Sequence, residues 1–243
     1  MRAGPGSVVL CYHAVSDAWP HPIAVGADAF ERQLRLLLRR GFRPAPTAWI
    51  LAGGRGLMHV TFDDAYRSVE RALPALERLG VPATVFACSS LADTGAPLAV
   101  SELRGDVARH PQELATMRWD ELRELAARGI DIGAHTASHP HLTRLSDAEL
   151  NAELRSSRRR IEDELGRPCR LLAYPYGEYD ERVAAAARAA GYDAAFTLLA
   201  PRSPSRYALP RVGVYRRDGG ARLMLKTSAA WAAGQRRLAR QPA

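Results

Sequence analysis

From Val8 to Leu198 short apolar runs of strand length alternate with longer stretches whose apolar residues recur every three or four positions, and that rhythm admits few folds. Val8 to Tyr12, Leu57 to Phe62, Ala83 to Ala87, Ile130 to Ala134, Leu171 to Leu172 and Ala194 to Leu198 read as strands. Between them, Phe30, Leu34, Leu37 and Leu38 follow a predicted Asp28/Glu31 capping box and stop at Gly41, while Val69, Leu73, Leu76 and Leu79 mark a helix closed by Gly80. Trp119, Leu122 and Leu125 lie on one helical face before Gly129. A Ser146/Glu149 capping box opens a helix carrying Leu150, Leu154, Ile161 and Leu165 up to Gly166, and a last helix runs from Glu181 to Ala190. Strand-then-helix repetition predicts an α/β fold with parallel strands under covering helices, and by itself leaves open sheet and barrel both open.

A chain of 243 residues can bury one substantial core, so the expected organisation is a single domain over 1–243, with 216–243 a basic helical extension. Residues 92–112 show no clear periodicity.

The net charge of +8 raises nucleic acid as a partner. Against it, nearly every basic residue is Arg, Lys occurs only at Lys226, and the basic positions lack the interleaved aromatics of a base-stacking platform. No nucleic-acid partner is expected. Cys11, Cys88 and Cys169 are far apart inside apolar runs and read as buried free thiols. No apolar run approaches the ~18 residues of a membrane span, and no export signal is visible, so the default expectation is a cytoplasmic protein, with peripheral membrane contact as an alternative. The stretch from Leu223 to Arg240, including Arg236, Arg237 and Arg240, reads as cover for the core rather than as a membrane-surface helix.

In parallel α/β folds, sites gather at the carboxyl ends of strands, and the polar clusters of this chain fall there. Phe62 leads into Asp63 and Asp64, Ala134 into His135, and Ala173 into Tyr174-Pro175-Tyr176-Gly177. Consecutive carboxylates at a strand end point in different directions and can take different tasks; the plainer reading is a pair capping the helix near Tyr66. His135 and His139 are four apart, and one helical turn stopped by Pro140 would bring both imidazoles onto one face. With an acidic strand end they make an Asp-His-His facial metal site with positions left for water.

These residues resemble the polysaccharide deacetylases, the NodB homology domain of carbohydrate esterase family four. Thr61-Phe62-Asp63-Asp64 matches the first motif, His135-Thr136-Ala137-Ser138-His139 the second, and Ala173-Tyr174-Pro175-Tyr176 the Pro-Tyr half of the third. Tyr12-His13 and Val81 to Phe86 extend the resemblance over roughly Val8 to Tyr215. It implies a distorted, incomplete (β/α) barrel, and a metal-dependent hydrolase that removes N-acetyl groups from an N-acetylated sugar or polysaccharide. In it Asp64, His135 and His139 would bind a divalent ion, usually zinc, Asp63 would be the general base, and the Tyr176 N–H would face the oxyanion with Pro175 and Gly177 shaping that substrate-binding loop. Trp119-Asp120 loosely resembles a fourth motif, but Trp119 is equally a core residue of its helix, and that reading is favoured.

Two features depart from the family. Ala173 stands where an Arg normally pairs with the base, and Arg211 stands where Leu-x-His normally supplies the general acid. An arginine cannot release a proton near neutrality. From its position Arg211 would instead replace the missing charge beside Asp63, and His13 and His141 become the candidate acids. Alternative readings are a relative that cleaves a non-sugar C–N amide bond, and a non-catalytic glycan-binding module.

Overall fold

The computed structural model describes residues 6–198, 205–228, 230, 231, 233 and 234. Its strands are β1 (Val8–Tyr12), β2 (Ala14–Val15), β3 (Ala24–Val25), β4 (Arg43–Pro44), β5 (Leu57–Phe62), β6 (Ala83–Ala87), β7 (Asp131–Ala134), β8 (Leu171–Ala173), β9 (Ala194–Thr197), β10 (Leu209–Pro210) and β11 (Val212–Gly213). One sheet follows the order β10-β9-β8-β7-β6-β5-β1-β11, with β4 beside β5, and every ladder in it is parallel. The two ends of that order, β10 and β11, are separated in sequence by Arg211 alone, so one residue bridges the seam of a nearly closed barrel. The α/β barrel expected from the resemblance is the fold observed. The Arg236, Arg237 and Arg240 tail lies outside the described residues.

Alternation along each strand sorts side chains between two compartments. Val9, Phe86, Leu171, Ala173, Ala194 and Phe196 form a cluster inside the barrel. Their neighbours Leu10, Tyr12, Val60, Phe62, Val85, Ile132, Leu172 and Ala195 face outward and meet Phe30, Leu34, Leu76, Leu122, Leu154 and Val183 from the covering helices. Inside, Gly133 on β7 is required by bulk, because a Cβ there would lie 2.5 Å from the Phe86 ring and 3.0 Å from the Leu171 carbonyl oxygen.

The long helix Asp147–Leu165 starts as its sequence predicts, with a Ser146/Glu149 capping box, and ends on left-handed Gly166. The first helix, Ala27–Arg39, does not: Gly26 is its N-cap with no side-chain cap, and Glu31 turns outward to Arg35 at 2.7 Å and Arg78 at 2.5 Å. The capping-box expectation for Asp28 and Glu31 is therefore corrected: the helix starts at Ala27, so both residues lie inside it, Asp28 past the N-cap and Glu31 past the N3 position that a capping box needs. Trp119 is buried in the core of its helix and its Nε1 donates to Asp93 at 2.7 Å. The aperiodic stretch forms a 3-10 turn Ser101–Leu103 and short helices Arg104–Arg109 and Pro111–Leu114. Leu98, Leu103 and Leu114 pack there on Trp19, whose Nε1 donates to Asp106 at 3.2 Å. Helix Gly220–Lys226 lies within the predicted C-terminal extension and buries Leu223. No helix among the described residues is long and apolar enough to cross a membrane.

Candidate active site

Parity on β5 explains how two adjacent carboxylates enter one site. His59 and Thr61 take the opposite side of the strand from the outward-facing Met58, Val60 and Phe62, and Asp63 continues their alternation into the barrel. Asp64 would then point away, but it adopts φ 67°, and Ala65 φ 48°, so the chain doubles back and its carboxyl joins the same pocket. Thr136, His139 and Tyr176 also have positive φ, and these five are the non-glycine residues with that conformation among the described ones. Left-handed backbone costs about 1–2 kcal/mol per residue. All five fall in the three loops that carry the motifs, and such strain persists only where the surroundings over-determine it.

The histidine loop shows what does so. It is not the single helical turn expected from the spacing of four: Thr136 and His139 have φ 67° and 66°, and the segment is an irregular bend. Glu153, from the helix Asp147–Leu165, accepts the N–H groups of Ala137 and Ser138 at 2.8 and 3.0 Å and the Ser138 hydroxyl at 2.6 Å. The His139 N–H donates to Thr136 Oγ1 at 3.0 Å, and Ser89 and Ser90 donate to the Thr136 and Ala137 carbonyls.

This frame brings Nε2 of His135 and of His139 each to 3.4 Å from Asp64 Oδ1, all three side chains being buried. His135 Nδ1 lies 2.8 Å from the Ala173 carbonyl, which can only accept, so the proton sits on Nδ1 and Nε2 presents a lone pair to the carboxylate. Burial lowers both imidazoles to about 4, leaving them neutral, and pushes Asp64 up from the usual carboxylate value. Among the described residues Asp64 Oδ1 has no hydrogen-bond partner. Acceptors converging on an orphaned carboxylate oxygen fit a cation, and ligand atoms ~2.1 Å from a tetrahedral ion stand ~3.4 Å apart. The residues present fit a divalent metal.

Asp63 is engaged differently. Arg211 Nη1 and Nη2 meet its Oδ1 and Oδ2 at 2.6 and 2.7 Å, with neither side chain appreciably exposed. Burial alone would raise the Asp63 carboxyl, but the Arg211 charge and the hydrogen bonds it makes overcome it and hold the group far below the usual carboxylate range. Arg211 thus supplies the charge that Ala173, buried in the barrel interior, cannot. Cys11, whose thiol burial pushes well up, donates to Asp63 Oδ2 at 3.3 Å. His13 lies in the same group, its Nδ1 buried without a hydrogen-bond partner among the described residues.

On the other side of the pocket, Tyr176 has φ 59° and ψ 2°, in a 3-10 turn Pro175–Gly177. Its ring lies edge-on to His139 at 4.7 Å and stacks on His141 at 3.9 Å. His141 Nδ1 pairs with Glu178 at 3.0 Å at the half-exposed rim. Sequence reasoning did not find Cys11, Glu153 or Glu178. For Cys11 the signal was present, since it shares with Val9 the inward parity of β1.

A parallel barrel with a buried Asp-His-His cluster of metal-ligating type at its strand ends, beside a second, arginine-bound carboxylate, defines the class of protein. The Polysaccharide deacetylase family model matches residues 52–195, more than half of the chain, which belongs to that family of sugar deacetylases acting on amide C–N bonds. The chain is 26% identical over 217 residues to the Putative polysaccharide deacetylase YxkH of Bacillus subtilis, covering 85% of this chain and 70% of that protein. Among solved structures it resembles the deacetylase PplD of Streptococcus pyogenes in complex with acetate, at TM-score 0.77 and 19% identity over 93% of this chain and 100% of that one. It also resembles BC0361, a polysaccharide deacetylase from Bacillus cereus, at TM-score 0.75 and 20% identity over 92% of this chain and 69% of that one. At these identities the structural likenesses are of fold.

Proposed function

We propose that the protein is a metal-dependent hydrolase that removes N-acetyl groups from an N-acetylated sugar or polysaccharide and releases acetate. The observation that carries this reading is the convergence of Asp64, His135 and His139 on a common point beside a second carboxylate, Asp63, that is bound to Arg211 and stands outside that trio. A divalent ion held by those three, zinc in the first instance, would polarise the acetyl carbonyl and lower the pKa of water at the site. Asp63 takes the proton of the attacking water as its oxygen adds to the amide carbon. The Tyr176 backbone N–H, aimed by Pro175 and Gly177, stabilises the oxyanion.

The leaving amine needs a proton, and Arg211, bound to Asp63, has none to give. His141 is the favoured donor: Glu178 orients its Nδ1, Tyr176 fixes its plane, and Nε2 is the nitrogen not engaged by Glu178. His13 is the second candidate, on the Asp63 side.

Acetate release from N-acetylglucosamine oligomers by the metal-loaded protein, with Asp63→Asn as control, tests the reading. Release that the substitution abolishes supports it. Metal binding without release from any glycan moves the assignment to a non-sugar amide or to a glycan-binding module.

A further inference from the structure

Arg211 occupies the single position between β10 and β11, the two ends of the sheet, and its side chain turns into the barrel with 0% exposure. Its guanidinium carbon lies 5.5 Å from the Phe86 ring and 5.9 Å from the Phe196 ring, so two interior aromatics contact the cation. Nη1 also donates to Thr61 Oγ1 at 3.1 Å, and that hydroxyl donates onward to the Leu10 carbonyl at 2.8 Å. With its plane held on two sides, the fork can meet the Asp63 carboxylate in one orientation only.

An ionised carboxylate offers about four in-plane lone-pair positions, two on each oxygen. Arg211 takes one on Oδ1 and one on Oδ2. The Cys11 thiol takes the second on Oδ2. Among the described residues nothing takes the second on Oδ1. We infer that Arg211 and Cys11 are positioning residues, which leave Oδ1 as the oxygen of Asp63 that receives the proton of the attacking water. This deepens the proposed function and rests on Asp63 being its general base. The same geometry accounts for both departures from the family pattern: the arginine missing at Ala173 is delivered from the barrel seam, where it occupies the position of the missing acid.

Two measurements test this. In the metal-free chain, thermal unfolding of Arg211→Met, Asp63→Asn and the double variant reads the pair without any turnover, and the double variant is expected to lose less than the sum of the single losses. Additive losses overturn the pairing, whether or not the chain is a deacetylase. In the metal-loaded enzyme, Arg211→Lys keeps the charge but not the fork. Its kcat should fall between about 10- and 100-fold, with KM and metal affinity close to those of the parent. Cys11→Ala, which frees Oδ2 and removes no charge, should lower kcat at unchanged KM, and it carries the kinetic test if Arg211→Lys does not fold. Parental kcat in these variants, or losses matched by equal losses of metal affinity, overturn the positioning role. A parent that releases no acetate refutes the proposed function and, with it, Oδ1 as proton acceptor, while the unfolding cycle still reports the pair.

Discussion

Asp64 Oδ1 and His135 Nε2 face each other across 3.4 Å with no proton between them to share, because the Ala173 carbonyl at 2.8 Å fixes the imidazole proton on the far nitrogen. Two buried lone pairs so placed repel, and a cation between them turns the repulsion into coordination. Replacing Asp64, His135 or His139 by Ala should therefore weaken metal binding by more than about 100-fold, beyond the loss usual for residues that only orient ligands, and abolish acetate release. Competition against a chromogenic chelator measures this. Removal of the metal by chelation should abolish release reversibly.

Glu153 holds the histidine loop by three hydrogen bonds but contributes none of the three proposed ligand atoms. With it gone, nothing in that set opposes relaxation of the strained Thr136 and His139 backbone. Glu153→Ala is expected to lower metal affinity by about 10- to 100-fold, the range typical of supporting partners, while Glu153→Gln keeps an acceptor and loses less. The same competition assay ranks the two variants.

The loop of Tyr176 is predicted to act through its backbone. Tyr176→Phe should keep kcat within a few-fold of the parent. Gly177 has φ +69°, and a Cβ there would lie 2.6 Å from both the backbone nitrogen and the Cβ of Leu198, so Gly177→Ala must displace the turn. A shift of about 1 Å in a catalytic donor costs up to about 100-fold in rate. Steady-state kinetics of the two variants separates side chain from backbone.

Much of this arrangement was legible in the sequence because strands and their ends carry strong local patterns. β5 and β6 run from Leu57 to Phe62 and from Ala83 to Ala87, where alternation and apolar content place them, and the polar clusters after β5, β7 and β8 do converge. Barrel closure was not legible from periodicity, because β10 and β11 are two-residue strands flanking Arg211 and have no period to read. The histidine loop was misread as a helical turn for a related reason: a spacing of four fits a helix, but the partners that bend the loop, Glu153 foremost, are remote contacts that spacing does not encode. Resemblance gave Arg211 a place beside Asp63, and only the folded chain shows that both guanidinium nitrogens reach it.

His59 predicts an acid limb of stability independent of the metal site. It is buried on β5 with Nδ1 on the Ala45 carbonyl and Nε2 on Thr84 Oγ1, both at 2.9 Å. Burial lowers it to about 4, with the Ala45 bond opposing. Below its ordinary value near 6.5 the unfolded chain takes up a proton that the folded chain accepts only near 4, so stability falls as pH falls through that window. The share of His59 is about 2 kcal/mol between pH 7 and 5. Urea unfolding at pH 7 and pH 5 should show a smaller acid loss for His59→Gln, which does not titrate, than for the parent.

The central claim is that three side chains distant in sequence hold one divalent ion beside Asp63, and calorimetric titration of Zn2+ into the metal-free chain tests it most directly. The account predicts one tightly bound ion per chain, lost in Asp64→Ala, His135→Ala and His139→Ala and kept in Asp63→Asn. A parent that binds no ion, or ligand variants that bind as the parent does, would contradict it.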